Sequence, residues 1–309
     1  MRIFVTGATG FIGSTIVPEL INAGHKVLGL TRSDAGAKSL TAAGAEVHRG
    51  DLNDLETLRK GVAISDGVIH TAFIHDFSKF QEVSELDRGV IEALGAALAG
   101  SDRPLLVTSG TGIANAAPGR PAIEEDAPES AQAIPRAASE QAAASIGAKG
   151  VRIGVMRLPQ VHDTVKQGLV SYVIELARKK GVSAYVGDGR NRWPAVHVLD
   201  AVRAFRLALE KLEKGARYHA VAEEGVPMRD IAKAIGHGLK VPVISVSPEE
   251  APAHFGWLAV FAGRDLPASS AITRKKLGWQ PTGPGLIADL ENMRYFESDT
   301  VGASTVRRA

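Results

Sequence analysis

Arg2-Ile3-Phe4-Val5-Thr6-Gly7-Ala8-Thr9-Gly10-Phe11-Ile12-Gly13 follows Met1 and decides how the chain is read. Residues 2–6 are rich in β-formers and read as a buried strand. A glycine cluster follows. A helix is then expected from Phe11 to Ala23, with Gly24 in the C′ position. Pro18 lies inside it and is expected to remove one backbone bond and kink it. The three glycines have separate uses. Gly7 permits the tight turn, Gly10 lets backbone approach a diphosphate, and Gly13 lets the helix pack on the strand. The helix N-terminus offers unpaired N–H groups and partial positive charge to phosphates. The plainer alternative is a tight strand-to-helix turn without a ligand.

Further strands are expected at 26–31, 45–48, 67–71, 104–109 and 151–157, with helices at 34–43, 53–60, 82–99 and 138–148 between them. Asn53 and Glu56 read as a capping box. Strands alternating with helices imply parallel βαβ units, and apolar runs such as Leu105-Leu106-Val107 suit a sheet covered on both faces. The expected class is α/β, a doubly wound parallel Rossmann sheet with a smaller C-terminal α/β substrate lobe. The nucleotide-binding part is expected over 1–160, with later sheet strands drawn from about 182–221. Residues 161–298 are expected to be mainly the substrate lobe, interleaved with the sheet, and 299–309 a flexible tail. In that half, helices are expected at 168–180, 200–213, 228–236, 248–262, 270–277 and 284–296, with strands at 217–221 and 241–246.

Composition excludes several classes. The chain has 309 residues and a net charge of +2, too balanced for an obvious nucleic-acid or membrane-surface binder. There is no cysteine, so disulfides, thiolate metal sites and a cysteine nucleophile drop out. The nine histidines show no metal-ligand spacing, and Ser109 lacks a hydrolase's Gly-x-Ser-x-Gly elbow. No apolar run approaches the ~18 residues needed to cross a bilayer, and no apolar signal segment follows Met1. The simplest expectation is a cytoplasmic protein with a small-molecule substrate and no metal.

Thr6-Gly7-Ala8-Thr9-Gly10-Phe11-Ile12-Gly13 resembles the TGxxGxxG fingerprint of the extended and atypical short-chain dehydrogenase/reductase superfamily, the NAD-dependent epimerase/dehydratase-like proteins. Gly50-Asp51-Leu52 resembles its adenine-contacting segment, and Asp66-Gly67-Val68-Ile69-His70-Thr71-Ala72 its strand-four segment beside the cofactor. Ser109 resembles the strand-five serine, and Arg157-Leu158-Pro159 the segment near the nicotinamide. Gly187-Asp188-Gly189, the stretch from Val196 to Asp200, and Leu277-Gly278-Trp279-Gln280-Pro281 resemble C-terminal landmarks of the epimerases and dehydratases. The resemblance runs from residue 1 to about 290 and specifies the superfamily rather than one reaction. It implies a nicotinamide dinucleotide held by Gly7, Thr9, Gly10, Phe11, Ile12, Gly13, Asp51, Leu52, Thr71, Ala72 and Pro159. By family analogy it also implies a homodimer.

An NAD site usually carries an acidic residue at the end of strand two, for the ribose 2′-hydroxyl. Leu30-Thr31-Arg32-Ser33 has none there, while Arg32 and Ser33 suit a 2′-phosphate. NADP(H) is therefore favoured over NAD(H), against the alternative that Arg32 is only a solvated charge.

The catalytic centre departs from the family. None of the four tyrosines, Tyr172, Tyr185, Tyr218 and Tyr295, has a lysine four residues on, so the Tyr-x-x-x-Lys motif is missing. Aligning Glu140 with a glutamate the family often carries puts Arg136 at the lysine position and Gln132 at the tyrosine. An alternative alignment puts Arg136 at the tyrosine and Glu140 at the lysine. Arg136 can bind the ribose but cannot titrate, and Gln132 can donate a hydrogen bond but not a proton. His162 and His75 are candidates for the missing acid/base, each with the alternative of an ordinary polar loop residue. Ser109 can hold a substrate carbonyl, or merely bond nearby backbone. Trp193 lines the substrate cleft or belongs to the core. The expected function is NADP(H)-dependent oxidation or reduction at a carbonyl or alcohol. The alternative is a non-catalytic NADP(H)-binding redox sensor.

Overall fold

The computed structural model describes residues 1–117 and 119–295. Its strands are β1 (Arg2–Thr6), β2 (Lys26–Thr31), β3 (Glu46–Arg49), β4 (Gly67–His70), β5 (Leu105–Gly110), β6 (Ile153–Leu158), β7 (Gln160–His162), β8 (Ser183–Val186), β9 (Arg192–His197), β10 (Arg217–His219), β11 (Glu223–Pro227) and β12 (Val243–Val246). Its helices are α1 (Phe11–Asn22), α2 (Asp34–Ala42), α3 (Leu55–Ala63), α4 (Phe80–Leu98), α5 (Ala138–Ala148), α6 (Val170–Lys180), α7 (Val198–Glu210), α8 (Met228–Leu239), α9 (Ala251–Phe255), α10 (Ala259–Ala262), α11 (Ala271–Leu277) and α12 (Leu286–Glu291).

Seven strands form one parallel sheet in the order β10-β6-β5-β4-β1-β2-β3. Strand alternation explains how both faces are filled. Ile3 and Val5 join the core beneath α1 and α7, whereas Phe4 joins the other core with Leu58, Ile91 and Ile146 from α3, α4 and α5. The order reverses between β1 and β4, and the carboxyl ends of these two strands open the crevice where such sheets bind ligands. A third core holds the C-terminal lobe together, around Trp193, Val226, Met228, Ile231 and Leu290.

Several local expectations need correction. The α3 cap is Asp54, whose carboxylate accepts from the Thr57 N–H at 3.1 Å, and not Asn53. α1 continues through Pro18 to Asn22, with Ile16, Val17 and Leu20 buried on either side of it. The expected helix 248–262 is broken at Gly256, whose φ of +57 ends α9 before a single 3-10 turn leads into α10. Of the stretch 182–221, only β10 joins the main sheet. β9 lies in a three-stranded sheet with β7 and β11, and β8 pairs with β12. β7 and β11 had no counterpart in the sequence reading, and β8 and β9 lie in the stretch that was expected to supply strands of the main sheet. The expected last helix is shorter, ending at Glu291, and the expected tail 299–309 lies outside the described residues. Among the described residues no helix is long and apolar enough to cross a membrane.

Candidate active site

The glycine-rich turn lies at the carboxyl end of β1. Gly7 has φ +71, and a Cβ there would stand 2.6 Å from the Ala72 nitrogen. The segment after β4 is thus pressed against the turn. A Cβ on Gly13 would stand 2.0 Å from the Gly7 carbonyl oxygen, so only glycine lets α1 start this close to β1. Gly10 caps α1 without a side-chain hydrogen bond, and the first turn holds no acidic residue. A twelve-residue helix therefore presents open N–H groups over a turn whose closest backbone approaches are made by glycines. These are the features a dinucleotide diphosphate needs, so the residues fit the coenzyme that the turn implies.

At the far end, Arg32 projects beyond β2 with its side chain 81% exposed and lies 3.4 Å from an Asp51 carboxylate oxygen. Ser33 caps α2 by accepting from the Gly36 N–H. Asp34, one residue later, is ion-paired with Arg49. The Asn53 N–H donates to Asp51, and with Arg32 this holds the carboxyl below its ordinary value. Leu52 packs against the core between α3 and α4. Thr71 donates its hydroxyl to the Thr6 carbonyl at 2.8 Å, fixing the backbone that faces the glycine turn.

Under the sheet's carboxyl end lies a buried polar network. The Thr6 hydroxyl is 2.6 Å from His70 Nδ1, and His70 Nε2 donates to Asp87 Oδ1 at 2.9 Å. The other Asp87 oxygen accepts from Arg136 at 2.8 Å and from the Ser139 hydroxyl at 2.5 Å. Arg136 also donates to the Thr108 carbonyl at 2.7 Å, and its guanidinium lies 4.2 Å over the Phe73 ring. Burial alone would raise the Asp87 carboxyl. The Arg136 charge and the bonds from His70 and Ser139 outweigh it and hold Asp87 well below the usual carboxylate range. Arg136 thus stands at the end of β5 in one orientation, tied to β5, α4 and α5 at once. Asp87, His70 and Ser139 were missed in the sequence. A signal existed: Asp87 interrupts an otherwise apolar stripe of Val83, Val90, Ile91 and Leu94 on α4.

Ser109 is buried at the carboxyl end of β5, and its hydroxyl has no hydrogen-bond partner among the described residues. It is therefore not bonded to nearby backbone. Arg157, opposite it in the sheet register, is fully buried and donates to both Glu140 oxygens at 2.8 Å. With both oxygens engaged, Glu140 is not open to a ribose, which favours the alignment that places Arg136 at the lysine position. Gln132 is exposed in the turn before Arg136. Pro159 is half-buried in the link from β6 to β7.

His75 stands exposed on the loop after β4, edge-on to Phe73. Desolvation by the surrounding chain, then the charges of Arg136 and Lys166, push its imidazole below the ordinary value. His162 is elsewhere in character. It is wholly buried in β7, its Nδ1 2.6 Å from Asp289 and its Nε2 without a hydrogen-bond partner among the described residues. Trp193 is 1% exposed and belongs to the core of the C-terminal lobe. The structure thus groups Ser109, Arg136 and His75 around the crevice, with His162 and Trp193 packed inside the molecule. Among the described residues, no group of three His, Cys, Asp or Glu could hold a metal ion.

The family model for the NAD dependent epimerase/dehydratase family matches residues 3–222. The uncharacterized protein C2A9.02 of Schizosaccharomyces pombe is 51% identical over 96% of this chain and 100% of its own length. The UDP-glucose 4-epimerase of Streptomyces lividans is 26% identical over 97% of this chain and 98% of its own. Among solved structures, the dTDP-glucose 4,6-dehydratase DesIV of Streptomyces venezuelae, with NAD bound, superposes with a TM-score of 0.77. That likeness covers 96% of this chain and 97% of that one at 19% identity, and so concerns the fold. The match over most of the glycine turn, sheet and switch-point crevice just described places the chain in the NAD dependent epimerase/dehydratase family.

Proposed function

We propose that the protein is an oxidoreductase that interconverts a carbonyl and an alcohol on a small molecule, using a nicotinamide dinucleotide, with NADP(H) preferred. The observation that carries this reading is the start of α1, without a side-chain cap, at the end of the Gly7–Gly13 turn, which packs against Ala72. When bound, the coenzyme supplies or takes the hydride. The unpartnered Ser109 hydroxyl donates a hydrogen bond to the substrate oxygen and holds it against the developing negative charge. Arg136, fixed by Asp87, adds positive charge at the same end of β5. His75, with its lowered pKa, is neutral near pH 7 and accepts the hydroxyl proton when an alcohol is oxidised. In the reverse direction it returns a proton taken from solvent.

The preference for NADP(H) rests on Arg32 and Ser33 alone, and the solved neighbour DesIV holds NAD. An exposed pair at 3.4 Å is worth little, so Arg32 can leave Asp51 for a 2′-phosphate. Arg32→Ala should weaken NADPH at least tenfold and leave NADH unchanged; equal losses would remove the preference. The missing Tyr-x-x-x-Lys motif favours a second reading, a redox sensor. A panel of aldehydes, ketones and alcohols followed at 340 nm separates the two. Turnover supports the oxidoreductase, whereas tight NADPH binding without turnover supports the sensor.

A further inference from the structure

The chain is only 5% aromatic, yet rings crowd one place beside Arg136. Phe77, in the 3-10 turn after β4, stacks on Trp257 of the C-terminal lobe with centroids 4.3 Å apart and planes 11° from parallel. Tyr172 of α6 stands edge-on to both, at 5.9 Å and 5.2 Å. Going inward, the rings run from Phe77 to His75 at 6.2 Å and on to Phe73 at 5.4 Å, which lies over Arg136. The path therefore starts at the lobe and ends at the carboxyl end of β5. It is not sealed core. Trp257 is 40% exposed, and Phe73, Phe77 and Tyr172 are only half-buried. A flat ring entering here would exchange the Phe77–Trp257 stack for ring contacts of the same kind with each of them.

Charge points the same way. A sugar nucleotide brings about two negative charges on its diphosphate and needs cations to receive them. The cation that the ring path reaches at its inner end already has a buried counter-ion. Arg136 is held by Asp87. Arg136 and Lys166 both add positive charge felt at His75, and His75 itself is biased toward its neutral form.

We propose that this aromatic slot is the substrate's seat and that it takes an uncharged, planar carbonyl compound of the aryl type, with Phe77 and Trp257 as the clasp that parts to admit it. The proposal deepens the oxidoreductase reading, on which it rests for the reacting end of the substrate. Its test is equilibrium binding, which needs no turnover. Of the three tryptophans, Trp193 and Trp279 are 1% and 0% exposed, so quenching by a ligand in the slot reports on Trp257. Benzamide, a flat carbonyl compound that takes no hydride, is titrated into the full chain with and without saturating NADP⁺. Saturable quenching is expected, absent in Trp257→Phe and absent with acetamide. Phe77→Ala, and Phe77→Leu, which keeps the apolar bulk, should each weaken benzamide at least fivefold with unchanged NADP⁺ affinity by calorimetry. UDP-glucose should neither quench nor compete. No saturable quenching, unchanged affinity in both Phe77 variants, or displacement of benzamide by UDP-glucose overturns the slot. Absent NADP⁺ binding with benzamide quenching intact instead overturns the coenzyme reading and leaves the slot standing.

Discussion

Ser109 and His219 show how one buried side chain can be open to a ligand and another closed by its neighbours. The Ser109 hydroxyl has no hydrogen-bond partner among the described residues, so its removal should leave the fold intact. Ser109→Ala should lower kcat/KM for carbonyl reduction by about 10²-fold, the usual effect of losing one oxyanion donor. NADPH affinity by calorimetry should not change. A loss in coenzyme affinity instead would show that the serine serves the nucleotide. Burial and the adjacent Arg157 charge push the His219 imidazole down to about 4, from about 6.5 in an unfolded chain. Between those values the unfolded chain binds more protons, so stability falls as pH drops through that window, by at most roughly 1.4 kcal/mol per pH unit. His162 is shifted in the same direction by burial. Thermal unfolding from pH 7 to 4 should show this acid limb, flattened in His219→Gln; an unchanged slope would place the sensitivity elsewhere.

Strands and helices were legible where their period was strong and local. β1, β2, β4, β5 and β6 fill both faces of a covered sheet, so their apolar runs need no partner to be recognised. β7, β8, β9 and β11 are three to six residues long and pair only across the lobe, which no local pattern encodes. Trp193 stayed ambiguous for the same reason, because it is β9's pairing with β7 and β11 that buries it. The coenzyme cradle was legible because turn, strand and helix are contiguous. The Arg136 environment was not, since Asp87, Ser139 and Thr108 come from three elements far apart in sequence. Asp87→Asn tests how these elements depend on one another. It leaves the Arg136 charge without its carboxylate, and should destabilise the fold by about 3 kcal/mol in urea unfolding. A change under about 0.5 kcal/mol would mean that solvent replaces the pair.

Across the whole molecule, two stretches that stood out separately in sequence prove to be one fastening. Asp200 is buried at the start of α7 and accepts from the Thr282 N–H at 3.0 Å and the Gly283 N–H at 2.7 Å, while its own carbonyl accepts from Trp279 Nε1 at 3.0 Å. Glu223 adds a bond from the Leu286 N–H at 2.7 Å. These contacts bind the chain around 279–286 to β11 and to α7, the helix that covers β1 with α1. Asp200→Ala should cost about 2 kcal/mol, because it strands the Thr282 and Gly283 N–H groups and the Arg203 guanidinium at once. Hydrogen exchange should then open residues 279–291 ahead of the main sheet. Uniform opening of the sheet would show that the fastening is not local. The reading of the molecule as a whole stands on the glycine turn, and calorimetry of NADPH binding addresses it most directly. The wild-type chain should bind one equivalent saturably, and Gly13→Ala, whose Cβ meets the Gly7 carbonyl at 2.0 Å, should bind at least a hundredfold more weakly. Wild-type protein that gives no saturable heat with either NADPH or NADH, or a Gly13→Ala variant that binds as well as wild type, would contradict it.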